Sequence, residues 1–276
     1  MGDNSVIPKR DWLEMTYEDF QRPDCGRWIA VLPIAAVEQH GPHLPLGVDA
    51  FIAEALLTRT RALMPLELPV TFLPLQVIGA SQEHRDYPGT LSLPADLTMR
   101  TLTAIGESVH RAGLRKLVIV NSHGGNVPVM EVTARDLRAR FQMLAITCSW
   151  ARIGFPPSGL FDAQELTHGI HAGDVETSIM LAARPELVRS EHIRNFVPAT
   201  VHMAEEFKWL GPSQAAGFGW MSQDLHPSGA AGDAASATAL KGEAVIRFAA
   251  SAFIELLSEV DRFDLARLAS GPLSSS

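Results

Sequence analysis

Apolar and polar positions along the chain fall into two alternating patterns, short apolar runs and longer stretches in which apolar residues recur at helical spacing. Four runs, at residues 28–34, 70–78, 117–121 and 143–149, are rich in Val, Ile, Leu and Phe without clear polar alternation, which predicts strands covered on both faces. Helical patterns lie between and after them, at 50–62, 97–112, 127–141, 172–183 and 234–260. Asp96 and Asn126 stand as N-cap candidates for the second and third of these, and Pro128 suits a first helical turn. Strand and helix in alternation predict an α/β layer structure with a largely parallel sheet.

Length and composition bound this picture. The 276 residues suffice for one or two domains, and with no internal repeat or clear linker a single domain is expected. Apolar types make up 46% and charged types 20%, far from the signature of disorder. A net charge of -8, with no basic cluster beyond pairs such as Arg115 and Lys116, argues against nucleic acid as a partner. The opening segment MGDNSVIPKRDW has no apolar core of the secretory kind, and the longest apolar run, 28–37, is about half of what a bilayer requires. A cytoplasmic protein without a membrane partner is expected. Cys25 and Cys148 show no CxxC spacing and predict neither disulfides nor a thiolate zinc site. The stretch 201–232, rich in Gly, Ser and Pro and carrying Trp209, Phe218 and Trp220, predicts a long loop at an active site or an oligomer contact, and the tail 270–276 is expected to fray.

The candidate chemistry concentrates in three places. Glu38 and His40 follow the first strand and point to one side of an extended segment; Asp49 returns after a Gly/Pro-shaped turn, just before a helix. Imidazole and carboxylate together suit Zn, Mn or Fe, whereas the plainer reading makes Asp49 a helix cap and the others loop-surface groups. His123 sits in the loop SHGGN at the C-terminal end of a strand, where open α/β sheets place their ligands. Glu176 heads a stripe with Ile179, Met180 and Ala183, and a buried carboxylate there needs a metal or a cationic partner such as Arg85, unless the stripe is rotated by one position and Glu176 sits at its wet edge.

The segments EQHGPHLPLGVD, NSHGGN and HAGDVETS, with EHRDYPGTLSLP between the first two, resemble the creatininase (creatinine amidohydrolase) family, in the family's order and over about residues 28–237. The resemblance implies a three-layer αβα sandwich with a mainly parallel central sheet, two divalent metal ions per chain (Zn, Mn or Fe), a small-molecule amide substrate and a homo-oligomer, hexameric in the family. It places one metal on Glu38, Asp49 and His123 and the second on His40 and the other oxygen of Asp49. Creatininase itself carries a further metal-binding Glu two residues after the loop histidine. Here that position is Gly125, which points away from creatinine as substrate, toward the broader SHGGN branch, and to Glu176 as the missing carboxylate.

The reaction so implied is cleavage of a carbon–nitrogen bond in a cyclic amide, a formamide or a peptide. Two metals can bridge a water, lower its pKa and polarise the carbonyl, so that a metal-bridged hydroxide attacks the amide carbon. The leaving nitrogen then needs a proton, for which His171 is the first choice of general acid and His84 the second. Glu83, Tyr87 with the loop 87–90, Trp150 and Trp220 are expected to frame the substrate. A serine hydrolase is disfavoured by the lack of a GxSxG elbow, and a dinucleotide enzyme by GFGWMS, which lacks the third glycine and follows no strand. A non-catalytic metal-dependent binding or regulatory protein on the same fold is the alternative.

Overall fold

The computed structural model describes residues 7, 9–157, 159–212 and 214–271; the first six residues and residue 8 of the opening segment, and the tail from residue 272 on, lie outside these. Four parallel strands, β1 (Ile29–Ile34), β2 (Val70–Phe72), β3 (Lys116–Asn121) and β4 (Leu144–Ser149), form a sheet in the order β2-β1-β3-β4. Ile29 pairs with both Val70 and Lys116, and Lys116 in turn with Leu144, so the C-terminal ends of β1, β3 and β4 stand side by side. Successive side chains enter opposite cores. Ile29, Val31, Val118 and Val120 pack on one face with residues of α1 (Val48–Leu63), while Ala30, Leu32, Leu117 and Ile119 pack on the other with residues of α2 (Ala95–Arg111) and α3 (Val127–Phe141). Further along the chain come α4 (Trp150–Ile153), α5 (Ala163–His168), α6 (Asp174–Ala183), α7 (Ala199–Glu206), α8 (Ser222–Leu225) and α9 (Ala239–Arg262). Ile179 and Met180 of α6 and Val245 and Phe253 of α9 join the α1 face. The result is the three-layer αβα sandwich expected.

Several expectations need correction. The second strand ends at Phe72 rather than at residue 78. The carbonyls of Val31 and Pro33 face the second strand, accepting from Leu73 and Gln76, so the donor that Pro33 lacks is one this side of the ladder needed. Asp96 does not cap α2: Pro94 occupies that position, and Asp96 lies in the exposed first turn, 3.1 Å from Arg100. Asn126 precedes α3 but makes no capping bond. The last helix begins at Ala239, with Thr238 accepting from the Lys241 amide at 3.3 Å, because Asp233 first turns residues 234–236 into a separate short helix. The stretch 201–232 is not wholly loop, since α7 overlaps its start and α8 lies within it. A two-residue strand, β5 (Asn195–Phe196), pairs antiparallel with β6 (Gly232–Asp233). No helix among the described residues is long and apolar enough to cross a membrane.

The contact between α6 and α9 is backbone against backbone. A Cβ built on Gly242 would stand 1.9 Å from the Ser178 carbonyl oxygen and 2.9 Å from the Ala182 Cβ. Helix propensity alone would make Gly242→Ala stabilising by about 1 kcal/mol; the clash with immovable backbone reverses the sign. We expect a net loss of about 1–3 kcal/mol, read as a lowered melting temperature, and an unchanged or raised value would refute this packing.

Candidate active site

The site is assembled at the C-terminal ends of β1 and β3. Glu38 and His40 stand on the segment leaving β1, and Asp49 is the second residue of α1, whose N-cap is Gly47. Asp49 is therefore not a cap, and its buried carboxylate faces the cluster. The loop after β3 is held by Asn121, whose side chain accepts from the His123 amide at 3.0 Å and donates to the His123 carbonyl. Asn126 accepts from the Ala80 amide at 2.8 Å and donates to Ala35 O at 3.0 Å and to Asn121 Oδ1 at 3.1 Å. Spending its amide on three loops leaves it nothing for capping α3.

Glu38, Asp49 and His123 offer donor atoms within 4.8 Å of one another, and so do His40, Asp49 and Glu176. His123 Nδ1 lies 3.2 Å from Glu38 Oε1 and 3.8 Å from Asp49 Oδ2; His40 Nε2 lies 3.9 Å from both Asp49 Oδ2 and Glu176 Oε2. His40 Nδ1 donates to the Glu38 carbonyl at 3.0 Å, which leaves the Nε2 lone pair facing inward. A third set, Glu38, His40 and His171, meets the same distance limit. Glu176 is not paired with Arg85, which lies 3.7 Å from Asp86; its Oε2 accepts from the Ala172 amide at 2.6 Å.

These groups fit divalent metal. Glu38 Oε1, His40 Nε2 and Asp49 Oδ2 are buried without hydrogen-bond partners, and none of the three carboxylates pairs with Lys or Arg among the described residues. Burial and the neighbouring Glu38 push the Asp49 carboxyl far above its usual range, and burial raises Glu176. Burial would raise Glu38 too, but His123, His84 and His171 outweigh it and hold it far below. Burial would lower His123, yet Glu38, Glu83 and Asp49 keep it well above its ordinary value; burial and His171 drive His40 well below. The acids cannot all ionise together without a cation among them. Mixed carboxylate and imidazole donors are those of Zn, Mn or Fe.

A cavity of about 410 Å³ lies against the cluster, lined by Glu38, Asp49, Glu83, His84, His123, His171 and Glu176 together with Phe218 and Trp220. Glu83 Oε1 lies 3.2 Å from His123 Nε2. A Cβ at Gly125 would stand 2.5 Å from that same oxygen, so the absent side chain at 125 makes room for Glu83. Tyr87 is not on this wall: its hydroxyl donates to Pro227 O at 3.1 Å, and Thr90 packs behind the site, accepting from the Gln39 amide. Trp150 lies instead on a neighbouring cavity, edge-on to Phe253 at 4.9 Å.

The two histidines read as acids differ in what they present. His171 Nε2 donates to the Gln39 carbonyl at 2.6 Å, leaving Nδ1 bare, 3.7 Å from Glu38 Oε1. His84 Nδ1 accepts from the Gln39 side-chain amide at 2.7 Å, so its Nε2 carries the proton, 3.4 Å from Glu38 Oε1; burial and His171 push its pKa down to about 3. With its Nε2 proton donated to the Gln39 carbonyl, His171 thus presents Nδ1 toward the cluster as an acceptor, and neutral His84 presents a donor. Gln39, which links both, escaped the sequence reading although it stands between two ligand candidates. So did Ser81, which donates to Glu38 Oε2, and Glu165.

Glu165 is buried, its carboxyl pushed up by burial, and it accepts from the amides of Asp174 at 2.7 Å and Asp233 at 2.8 Å. It thereby joins the start of α6 to β6, beside the mutual backbone bonds of His171 and Ala231. A Cβ on Gly169, Gly173 or Gly232 would stand 2.4, 2.1 or 3.1 Å from the Glu165 side chain. Ala172, between His171 and Gly173, is held at a φ of 55°, a conformation that costs a non-glycine residue about 1 kcal/mol or more.

Comparison with known proteins agrees with this architecture. The chain is 33% identical over 226 residues to the mycofactocin precursor peptide peptidase of Mycobacterium ulcerans, covering 79% of this chain and 80% of that one. It is 30% identical over 206 residues to the creatinine amidohydrolase of Pseudomonas putida, covering 68% and 76%. A solved creatinine amidohydrolase (creatininase) superposes with a TM-score of 0.72 at 23% identity, over 93% of this chain and all of that one, which shows the shared fold. A family model described as creatinine amidohydrolase matches residues 13–257, and the chain belongs to the creatininase family.

Proposed function

We propose that this protein is a metal-dependent amidohydrolase that cleaves a carbon–nitrogen bond in a cyclic amide, a formamide or a peptide. The observation that carries this reading is the pair of three-residue donor sets meeting at one buried aspartate, Glu38, Asp49 and His123 on one side and His40, Asp49 and Glu176 on the other. When bound there, two divalent ions would lower the pKa of water and polarise a substrate carbonyl. Asp49 is the shared carboxylate. His171 Nδ1, held toward the cluster by the bond from Nε2 to Gln39, accepts the proton of the attacking water and returns it to the leaving nitrogen. His84, with its proton on Nε2, orients Glu38. Trp220 and Phe218 cover the cavity and keep bulk water from the reacting centre.

Glu83 is a positioning residue in this scheme. A ligating histidine whose outer nitrogen meets a carboxylate is fixed in orientation and made a stronger donor, and Glu83 stands on the outer side of His123. Closed homo-oligomer assembly belongs to the same reading: Trp209 and Leu210 project at 63% and 44% exposure from the stretch that also carries Phe218, leaving apolar surface for a subunit contact.

Purified protein is expected to carry up to two transition metals per chain. Asp49→Ala should lose both, with activity, whereas Glu176→Gln should weaken only the site it shares with His40. Elemental analysis with metal titration decides this, and full occupancy in Asp49→Ala would sink the shared-carboxylate role. Glu83→Gln should weaken metal binding at the His123 site by about 10- to 100-fold; titration with Co(II), followed by its visible absorption, reads this without turnover, and a wild-type titration curve would remove Glu83 from the scheme. Light scattering should give a closed oligomer, and a strict monomer at high concentration would leave the aromatic stretch serving its own subunit alone.

A further inference from the structure

Beside the metal cluster lies a second cavity of about 140 Å³. It is walled by Ile52 and Leu56 of α1, Trp150, Ile179 of α6, and Val245 and Ala249 of α9, all buried. It shares Ser122, Ile170, His171 and Glu176 with the larger cavity over the cluster, so it begins one side chain away from the proposed reacting centre. Several polar atoms at its edge are already engaged, His171 Nε2 with Gln39 O, Glu176 Oε2 with the Ala172 amide, and both Glu165 oxygens with the amides of Asp174 and Asp233, while the bare His171 Nδ1 lies on the side of Glu38, 3.7 Å from its Oε1. Water needs two to four polar partners to settle in such a space, and an apolar cavity of about 150 Å³ stays dry and takes up benzene. The chamber therefore suits an apolar guest, and the wall it shares with the larger cavity carries His171 and Glu176.

We infer that this chamber is a substrate subsite that receives an apolar group, of about isobutyl to phenyl size, attached close to the scissile amide. The inference rests on the proposed amide hydrolysis at the adjoining cluster. It narrows the substrate class from any small amide to amides with a branched aliphatic or aromatic substituent beside the bond that is cut. Trp150, expected to touch the substrate, then does so from this chamber rather than from the cavity over the metals.

The test uses the metal-loaded full chain and hydroxamates, R–CO–NHOH, with R methyl, isopropyl, isobutyl, benzyl or indolylmethyl. Dissociation constants are measured by calorimetry, and turnover of the matching amides is followed in parallel. Affinity should rise about 10- to 100-fold from methyl to benzyl and fall again at indolylmethyl. Ala249→Leu, which fills the chamber, should collapse the benzyl-to-methyl ratio toward one. Val245→Ala, which enlarges it and asks less of the fold, should move the optimum to indolylmethyl. Benzene should compete with the benzyl compound more strongly than with the methyl one. A flat hydroxamate series, or a profile that neither folded variant changes, overturns the subsite even if small amides are hydrolysed. A graded series that responds to both variants while no amide is cleaved keeps the subsite and overturns the hydrolytic reading beneath it.

Discussion

Placing the buried Glu38 and Asp49 side by side with the half-buried Glu176 is the constraint around which the rest of this molecule is arranged. Each carboxylate withdrawn from solvent costs several kcal/mol unless something positive or protonated meets it, and no lysine or arginine among the described residues does so. Histidines and metal ions are what remain. His123 is held toward its charged form by Glu38, Glu83 and Asp49 in spite of burial, whereas burial drives His40 and His84 toward the neutral form. His40 donates from Nδ1 to Glu38 O and so keeps its Nε2 lone pair aimed inward, and His84, accepting at Nδ1 from the Gln39 amide, aims its Nε2 proton at Glu38.

The same helices build the site and the core. Asp49 begins α1, and one turn later Ile52 and then Leu56 enter the apolar face; Glu176 begins α6, and Ile179 and Met180 follow in the same way. A charged centre and a hydrophobic layer are thus separated by about one helical turn, roughly 5 Å. This short separation explains why an apolar chamber directly adjoins a cluster of carboxylates. The packing of α1, α6 and α9 that fixes the ligands also fixes the chamber walls.

Much of the plan could be read from the chain because it is local. The strand–helix alternation follows from runs of neighbouring residues, and Glu38, His40, Asp49, His123 and Glu176 stand in short segments whose spacing has chemical meaning. What escaped the reading depends on contacts between segments distant in sequence. Asn126 looked like a helix cap but spends its amide on Ala80, Ala35 and Asn121. Tyr87 sits in a motif that does border the site, yet its hydroxyl turns to Pro227. The second strand stops early where Pro33, on the neighbouring strand, lacks the donor their shared ladder needs. Gln39 lay between two ligand candidates, and only the folded chain shows that its backbone and side chain hold a histidine each.

Glu165 gives the site wall its mechanical character. Its two oxygens each take a backbone amide from a different segment, and Gly169, Gly173 and Gly232 press so near that a side chain on any of them would contest its place. The three glycines and the acid form a single interlocking part, so a substitution at one of them must be answered at another. The strand-like bridge between His171 and Ala231 is riveted to the start of α6 by this one carboxylate. His171 is accordingly carried on a stiff bracket rather than a free loop, and a substrate entering the cavity meets its imidazole already in position.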